Sequence, residues 1–153
     1  ESEAAYLRDY RLAFNVGGNA LGVLDAPAFA SVVPSSSSSS SSSSPMKGVH
    51  GAIYELTLPQ WSLLCASEGV PLAYIPTVVR CSKYNRSTQS GLFGEEAMVV
   101  NAFTLMKTAP SAASTKDGKP SLRYIEKIRK GARDLKLDEE YILYLEEIEP
   151  WEG

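Results

Sequence analysis

The residue in this chain best placed to do proton chemistry is Glu68. It closes the run Cys65-Ala66-Ser67-Glu68-Gly69-Val70, at the predicted end of a short helix. A helix C-terminus carries partial negative charge, so a carboxylate there is misplaced by roughly 0.3–1 kcal/mol. Gly69 suits the left-handed position that ends a helix, and it would turn the chain beside the carboxylate. The surrounding residues are apolar, so Glu68 is expected to rest against an apolar wall and to hold its proton to higher pH than an ordinary glutamate. That property suits proton transfer near neutral pH. A solvated carboxylate at a frayed helix end is the plainer reading of the same residues.

Few other side chains offer chemistry. His50 is the one histidine, and Cys65 and Cys81 are the two cysteines. That is too little for a zinc site, a disulfide framework or a Ser-His or Cys-His pair. No metal and no cofactor are expected. His50 precedes Gly51 at the start of a predicted strand and reads as structural or exposed. Cys65 falls on the apolar side of its helix and reads as a small buried hydrophobe. The formal charge is −3, and the one basic cluster, Lys127-Ile128-Arg129-Lys130, shares its helix with Glu126 and Asp134. It reads as a solvated face, so nucleic acid is not an expected partner. No apolar run approaches the ~20 residues of a membrane span, and no signal-peptide pattern opens the chain. No membrane contact and a cytoplasmic location are the expectation.

The elements that must position Glu68 follow from pattern. At 153 residues the chain reads as one domain. Strands are predicted at 10–16, 51–56, 74–81 and 96–105, from alternating or β-branched runs. Pro76 inside the third points to an edge or a bulge. Thr57-Leu58-Pro59-Gln60 forms a capping box that starts a helix running from about Pro59 to Glu68. Leu122, Ile125, Ile128, Ala132 and Leu135 recur at helical spacing after Pro120-Ser121. A last helix starts near Asp138, carries Ile142, Leu145 and Ile148 inward, and stops at Pro150. Ser35 to Ser44 form an unbroken polyserine run between Pro34 and Pro45. It cannot bury apolar area to offset its ordering entropy, so residues 34–45 read as a disordered insertion within the domain. Polar loops are expected at 82–91 and 110–119. The fold class is α+β: a small mixed, largely antiparallel sheet or barrel with packed helices.

Four segments, in this order and spacing, resemble the γ-glutamylcyclotransferase-like family. They are Tyr10-Arg11-Leu12-Ala13-Phe14-Asn15; Val49-His50-Gly51-Ala52-Ile53-Tyr54-Glu55-Leu56, followed by the short helix, Glu68-Gly69-Val70 and Tyr74; Pro120-Ser121-Leu122-Arg123-Tyr124-Ile125, continuing to Gly131-Ala132; and Leu137-Asp138-Glu139-Glu140-Tyr141-Ile142, ending Leu145-Glu146-Glu147-Ile148-Glu149-Pro150. The resemblance implies a small mixed barrel and a cleft for a γ-glutamyl group. It implies release of 5-oxoproline and a free amine or amino acid without metal or organic cofactor. It makes Glu68 the catalytic acid and base, with Gly69, Tyr74 and Tyr124 in contact with substrate. The partners it implies are a small γ-glutamyl compound and a second copy of the chain as a homodimer.

Members of that family begin with a strand carrying a Tyr-Gly-Ser-Asn turn, and no such run occurs in these 153 residues. The chain opens at Glu1 without Met and is expected to be an N-terminally truncated segment lacking that strand. Two further readings compete with a cyclotransferase. One is a non-catalytic domain of the same fold that binds a small acidic metabolite or a protein. The other is a structural domain with no small-molecule site, in which Glu68 is fully solvated.

Overall fold

The computed structural model describes residues 2–17, 27–35, 48–84, 98–107 and 117–152. In chain order the elements are β1 (Ser2–Leu7), β2 (Tyr10–Gly17), β3 (Ala28–Pro34), β4 (Val49–Tyr54), α1 (Leu58–Ser67), β5 (Tyr74–Lys83), β6 (Val99–Lys107), α2 (Leu122–Asp134) and α3 (Glu139–Glu147). A four-stranded sheet has the order β4-β1-β5-β6, and β2 and β3 form a separate pair. The strand pairings are antiparallel. β3 lies against β6 and β2 against β4, so the two sheets curl together as a half-barrel. The α+β reading holds.

Strand prediction needed correction at four places, the first being β4, which is Val49–Tyr54 rather than 51–56. β1 and β3 were not anticipated, and the last strand is Val99–Lys107 rather than 96–105; residues 96 and 97 lie outside the described part. Pro76 is not on an edge strand, because β5 sits between β1 and β6. The pairing explains the tolerance. β1 meets β5 only at Ala5–Lys83 and Tyr6–Ser82, whereas Pro76 pairs with Leu105 of β6. On the β1 side Pro76 faces no partner strand, so its missing N–H breaks no ladder there. The polyserine run from residue 36 onward and most of the two polar loops lie outside the described residues.

The base of the domain is where α2 and α3 meet the sheet. Ile125 and Leu145 are fully buried, and Ala4 of β1 packs with Ala132, Leu137, Tyr141 and Leu145. Ser121 and Asp138 cap the two helices, each accepting a backbone N–H from three residues on. Arg129 overturns the solvated-face reading of the basic cluster: it is 8% exposed. Its Nε donates to the Leu145 carbonyl at 3.0 Å, and Nη2 donates to the carbonyls of Glu146 and Ile148, both at 2.9 Å. Nη1 donates to Glu126 at 2.7 Å. The guanidinium therefore satisfies carbonyls that the end of α3 leaves without helical partners, at the negative pole of its dipole.

His50 is buried and structural. Its ring stacks on Tyr141 with centroids 4.5 Å apart and lies 4.8 Å from that of Tyr6. The Asp138 N–H donates to the Tyr84 hydroxyl at 3.1 Å, and that hydroxyl is in short contact with His50 Nδ1. Tyr84 thus has its own proton to give to the ring, which needs an unprotonated Nδ1 to accept it. Burial pushes His50 down to about 4, against the opposing pull of Asp138.

Candidate active site

Two local devices fix Glu68. At the start of α1 the Thr57 hydroxyl accepts the Gln60 N–H, and the Gln60 side chain accepts the Thr57 N–H at 2.8 Å, the reciprocal capping box. At the other end Gly69 N–H donates to Ala66 O at 3.3 Å and Val70 N–H to Cys65 O at 3.0 Å. These two bonds form a Schellman motif with Gly69 in its left-handed position at φ 72°. Glu68 is the C-cap of the helix. Gly69 O then accepts the N–H groups of Leu72 and Ala73, a second tight turn that delivers the chain into β5 at Tyr74.

The apolar wall expected around Glu68 is not closed. Its side chain is exposed, α1 has no buried residue, and Leu58 and Leu63 are 81% and 72% exposed. Cys65, expected to be buried, is half-buried. The reason is the position of α1 on the rim of the half-barrel, where Trp61 meets Phe103 of β6 with ring centroids 5.5 Å apart. The apolar residues of a short rim helix have no second layer to cover them.

Tyr74 and Tyr124 converge on the backbone of one β3 residue, Ala30. The Tyr74 hydroxyl donates to Ala30 O at 3.0 Å, and the Ala30 N–H donates to the Tyr124 hydroxyl at 3.3 Å. Between Ala13 and Val16 the β2–β3 register shifts, so Ala30 sits opposite the irregular stretch of β2. Its backbone groups turn outward to the two phenols. Phe29 packs edge-on against Tyr124 at 5.4 Å and is 44% exposed. Burial, then the neighbouring Tyr124 and Glu68, push the Tyr74 phenol up to about 12. Burial and Glu68 also raise Tyr124, against the Ala30 N–H, which lowers it. Glu68 is thus close enough for its charge to act on both phenols, and both stay protonated through the neutral range.

No family model matches the chain, and no curated protein matches it. Solved structures do. One described as γ-glutamyl cyclotransferase aligns with a TM-score of 0.71 at 20% identity, over 98% of this chain and 75% of its own. An ensemble-refined crystal structure of an uncharacterized Homo sapiens protein aligns with a TM-score of 0.70 at 20% identity, over 100% of this chain and 79% of its own. The chain has a γ-glutamyl cyclotransferase-like fold.

Within the γ-glutamyl cyclotransferase-like fold the four sequence-predicted residues gather in one region. Glu68 and Gly69 share the Schellman turn, Tyr74 starts the next strand and bonds to Ala30 of β3, and Tyr124 reaches the same residue from α2. Sequence reasoning missed Ala30 and Phe29. A backbone amide leaves no mark in sequence, and Phe29 belongs to an unanticipated strand. A groove of about 820 Å³ lies between α1 and the sheet, walled by Ala5, Ile53, Trp61, Val79, Cys81 and Phe103 among others. Glu68, Tyr74 and Tyr124 do not line it. Burial raises the Cys81 thiol, whose Sγ lies 3.7 Å from Val100 O, so this cysteine is a poor nucleophile. Among the described residues no cluster of His, Cys, Asp and Glu could hold a metal ion, and no helix is long and apolar enough to cross a membrane.

Proposed function

We propose that this chain carries the chemistry of a γ-glutamyl cyclotransferase, converting γ-glutamyl amino acids or amides to 5-oxoproline and a free amine. The observation that carries the reading is the convergence of Tyr74 and Tyr124 on the backbone of Ala30, within range of the Glu68 charge. The substrate supplies its own nucleophile. Its α-amino group and γ-carbonyl are tethered, so effective molarities of ~10⁵ M or more are within reach and the protein has only to fold, deprotonate and stabilise. Glu68 takes a proton from the α-ammonium. The freed amine attacks the γ-carbonyl carbon and closes the five-membered ring. The resulting oxyanion accepts a hydrogen bond from Tyr124, whose oxygen is held by the Ala30 N–H and whose proton has no acceptor among the described residues. Tyr74 has its proton on Ala30 O, so its oxygen is left to accept from the substrate ammonium. Protonated Glu68 then gives its proton to the departing nitrogen, the oxyanion re-forms the carbonyl as the amide C–N bond breaks, and the Glu68 carboxylate so regenerated takes the second proton from the ring nitrogen and passes it to the released amine.

The exposure of Glu68 is what the structural domain with no small-molecule site requires, and it is the one observation that favours a non-catalytic chain. A single assay separates the two. The chain, alone and extended by any natural upstream sequence, is incubated with γ-glutamyl amino acids and γ-glutamyl amides, and 5-oxoproline and free amine are measured together. Stoichiometric release of both supports the cyclotransferase. Binding of the same compounds without release would leave the binding domain.

A further inference from the structure

The two phenols of the candidate site meet at Ala30, so whatever fixes Ala30 also fixes them. The ladder of β2 and β3 does little of this. Ala13 pairs with Ser31 and Val16 with Phe29, which leaves Phe14 and Asn15 together opposite Ala30 alone. Two residues against one make a β-bulge, where cross-strand pairing is locally disrupted. The contacts that replace the lost pairing come from the two bulge residues.

Asn15 holds the strand. The Ser31 hydroxyl donates to Asn15 Oδ1 at 2.6 Å, and Ser31, the residue after Ala30, is 5% exposed. A buried hydroxyl left without its partner is costly, so β3 is held to Asn15 at this point. Phe14 holds the approach to the helix. Its carbonyl accepts the Gly118 N–H at 2.7 Å, and the carbonyl of Lys119 accepts the Ala28 N–H at 2.9 Å. A Cβ on Gly118 would stand 2.9 Å from that of Ala28, closer than side chains approach one another, so this crossing requires glycine. Two residues after Lys119, Ser121 caps α2, and Tyr124 is the third residue of that helix. Phe14 packs with Ala28 and Ile125, and Ala30 and Tyr124 lie against the same cluster. Adjacent residues of one bulge thus index both sides of the Ala30–Tyr124 hydrogen bond, Asn15 on the strand side and Phe14 on the helix side.

We propose that Asn15 is a positioning residue for the Tyr124 hydroxyl, acting through Ser31 and Ala30, a role that rests on the cyclisation reading above. Asn15 keeps the Ala30 N–H where it meets the Tyr124 oxygen, and so keeps the phenol aimed at the oxyanion. That charge develops only on the way through the transition state, so a loosened Ala30 lowers kcat more than it raises KM.

The test compares Asn15→Leu, similar in size but without an acceptor, with Ser31→Ala, which removes the donor. Each lowers kcat for 5-oxoproline release about 10-fold, with KM changed less than about 2-fold. The double variant is no worse than either single one, because both remove the same bond. In a Tyr124→Phe chain Asn15→Leu lowers kcat no further, a result that a merely structural role would not give. Lys130→Met breaks an exposed ion pair on the helix of Tyr124 and changes none of these rates. Hydrogen exchange supplies a readout that needs no turnover. The Ala30 amide exchanges about 10-fold faster in Asn15→Leu and in Ser31→Ala, while amides of α2 and α3 keep their protection. That pattern in a wild-type background that forms no product supports the hold of Asn15 on Ala30 and sinks cyclisation alone. Unmoved exchange at Ala30, an unchanged kcat, losses that multiply in the double variant, or protection lost throughout the chain overturn the role of Asn15. If Glu68→Gln abolishes turnover in those cases, the cyclisation reading survives them.

Discussion

The base and the rim of this half-barrel are built by opposite means. At the base, α2 and α3 bury Ile125, Ala132, Tyr141 and Leu145, and Arg129 ties them through three α3-end carbonyls. At the rim, α1 buries nothing and depends on a capping box, a Schellman turn and the contact of Trp61 with Phe103. Glu68 belongs to the rim, whereas Tyr124 belongs to the base and Tyr74 to the sheet between them. The candidate site is thus a weakly packed carboxylate set against two well-held phenols. Such an arrangement separates stability from chemistry: substitutions at the base should unfold the domain, and substitutions at the rim should change what it does.

The sharpest way to break the comparison is at Arg129. Replacing it with Met leaves the carbonyls of Leu145, Glu146 and Ile148 without their donor in a buried setting. The expected loss is about 3–5 kcal/mol, read from the urea unfolding midpoint. A loss below about 1 kcal/mol would mean that the base does not carry the fold.

Next in size is an acid effect at His50. Its folded value of about 4 lies below the ordinary 6.5, so between these pH values the unfolded chain binds the proton more readily than the folded one. Stability is fully present above about pH 6.5 and falls as pH drops toward 4, by about 3 kcal/mol at most. The ring faces Tyr6, Tyr84 and Tyr141, with Asp138 the nearby charge. In a His50→Gln chain the slope of stability against pH in this window should flatten. An unchanged slope would assign the acid sensitivity elsewhere.

Gly69→Ala tests the rim. A side chain at φ 72° is strained, and the loss should be about 1 kcal/mol in unfolding experiments. Product release should fall by more than that loss of folded protein explains, because the turn sets the Glu68 C-cap. Thr57→Ala, at the far end of the same helix, should cost about 0.5–1 kcal/mol and affect turnover less. Equal effects of the two on turnover would mean that helix stability, and not the geometry of the turn, governs the site.

What the sequence revealed divides along the same line. Helix ends are local events, so Thr57, Gly69, Ser121 and Asp138 were readable from a few neighbouring residues. Glu68 and Gly69 could be picked out for that reason. β1 could not be read, because Ala4 and Ala5 gain their burial from small size against the helices and not from β-branching. β3 was missed because part of its outer edge is satisfied by phenols from β5 and α2, which are remote in sequence. Arg129 carried a signal that its basic neighbours masked. It stands four residues after Ile125 and three before Ala132, on the face that both bury.

The measurement that bears most directly on the account is 5-oxoproline release by Glu68→Gln beside Glu55→Gln, with a thermal midpoint for each. Gln keeps the size and hydrogen bonding of Glu68 but cannot take the ammonium proton. Turnover should fall by at least ~10² in Glu68→Gln. Its midpoint should hold or rise, since a charge opposing the helix dipole is gone. Glu55, one residue past β4, should be replaceable with little loss of rate. A wild-type rate in Glu68→Gln, or equal losses in both variants, would remove Glu68 from the chemistry.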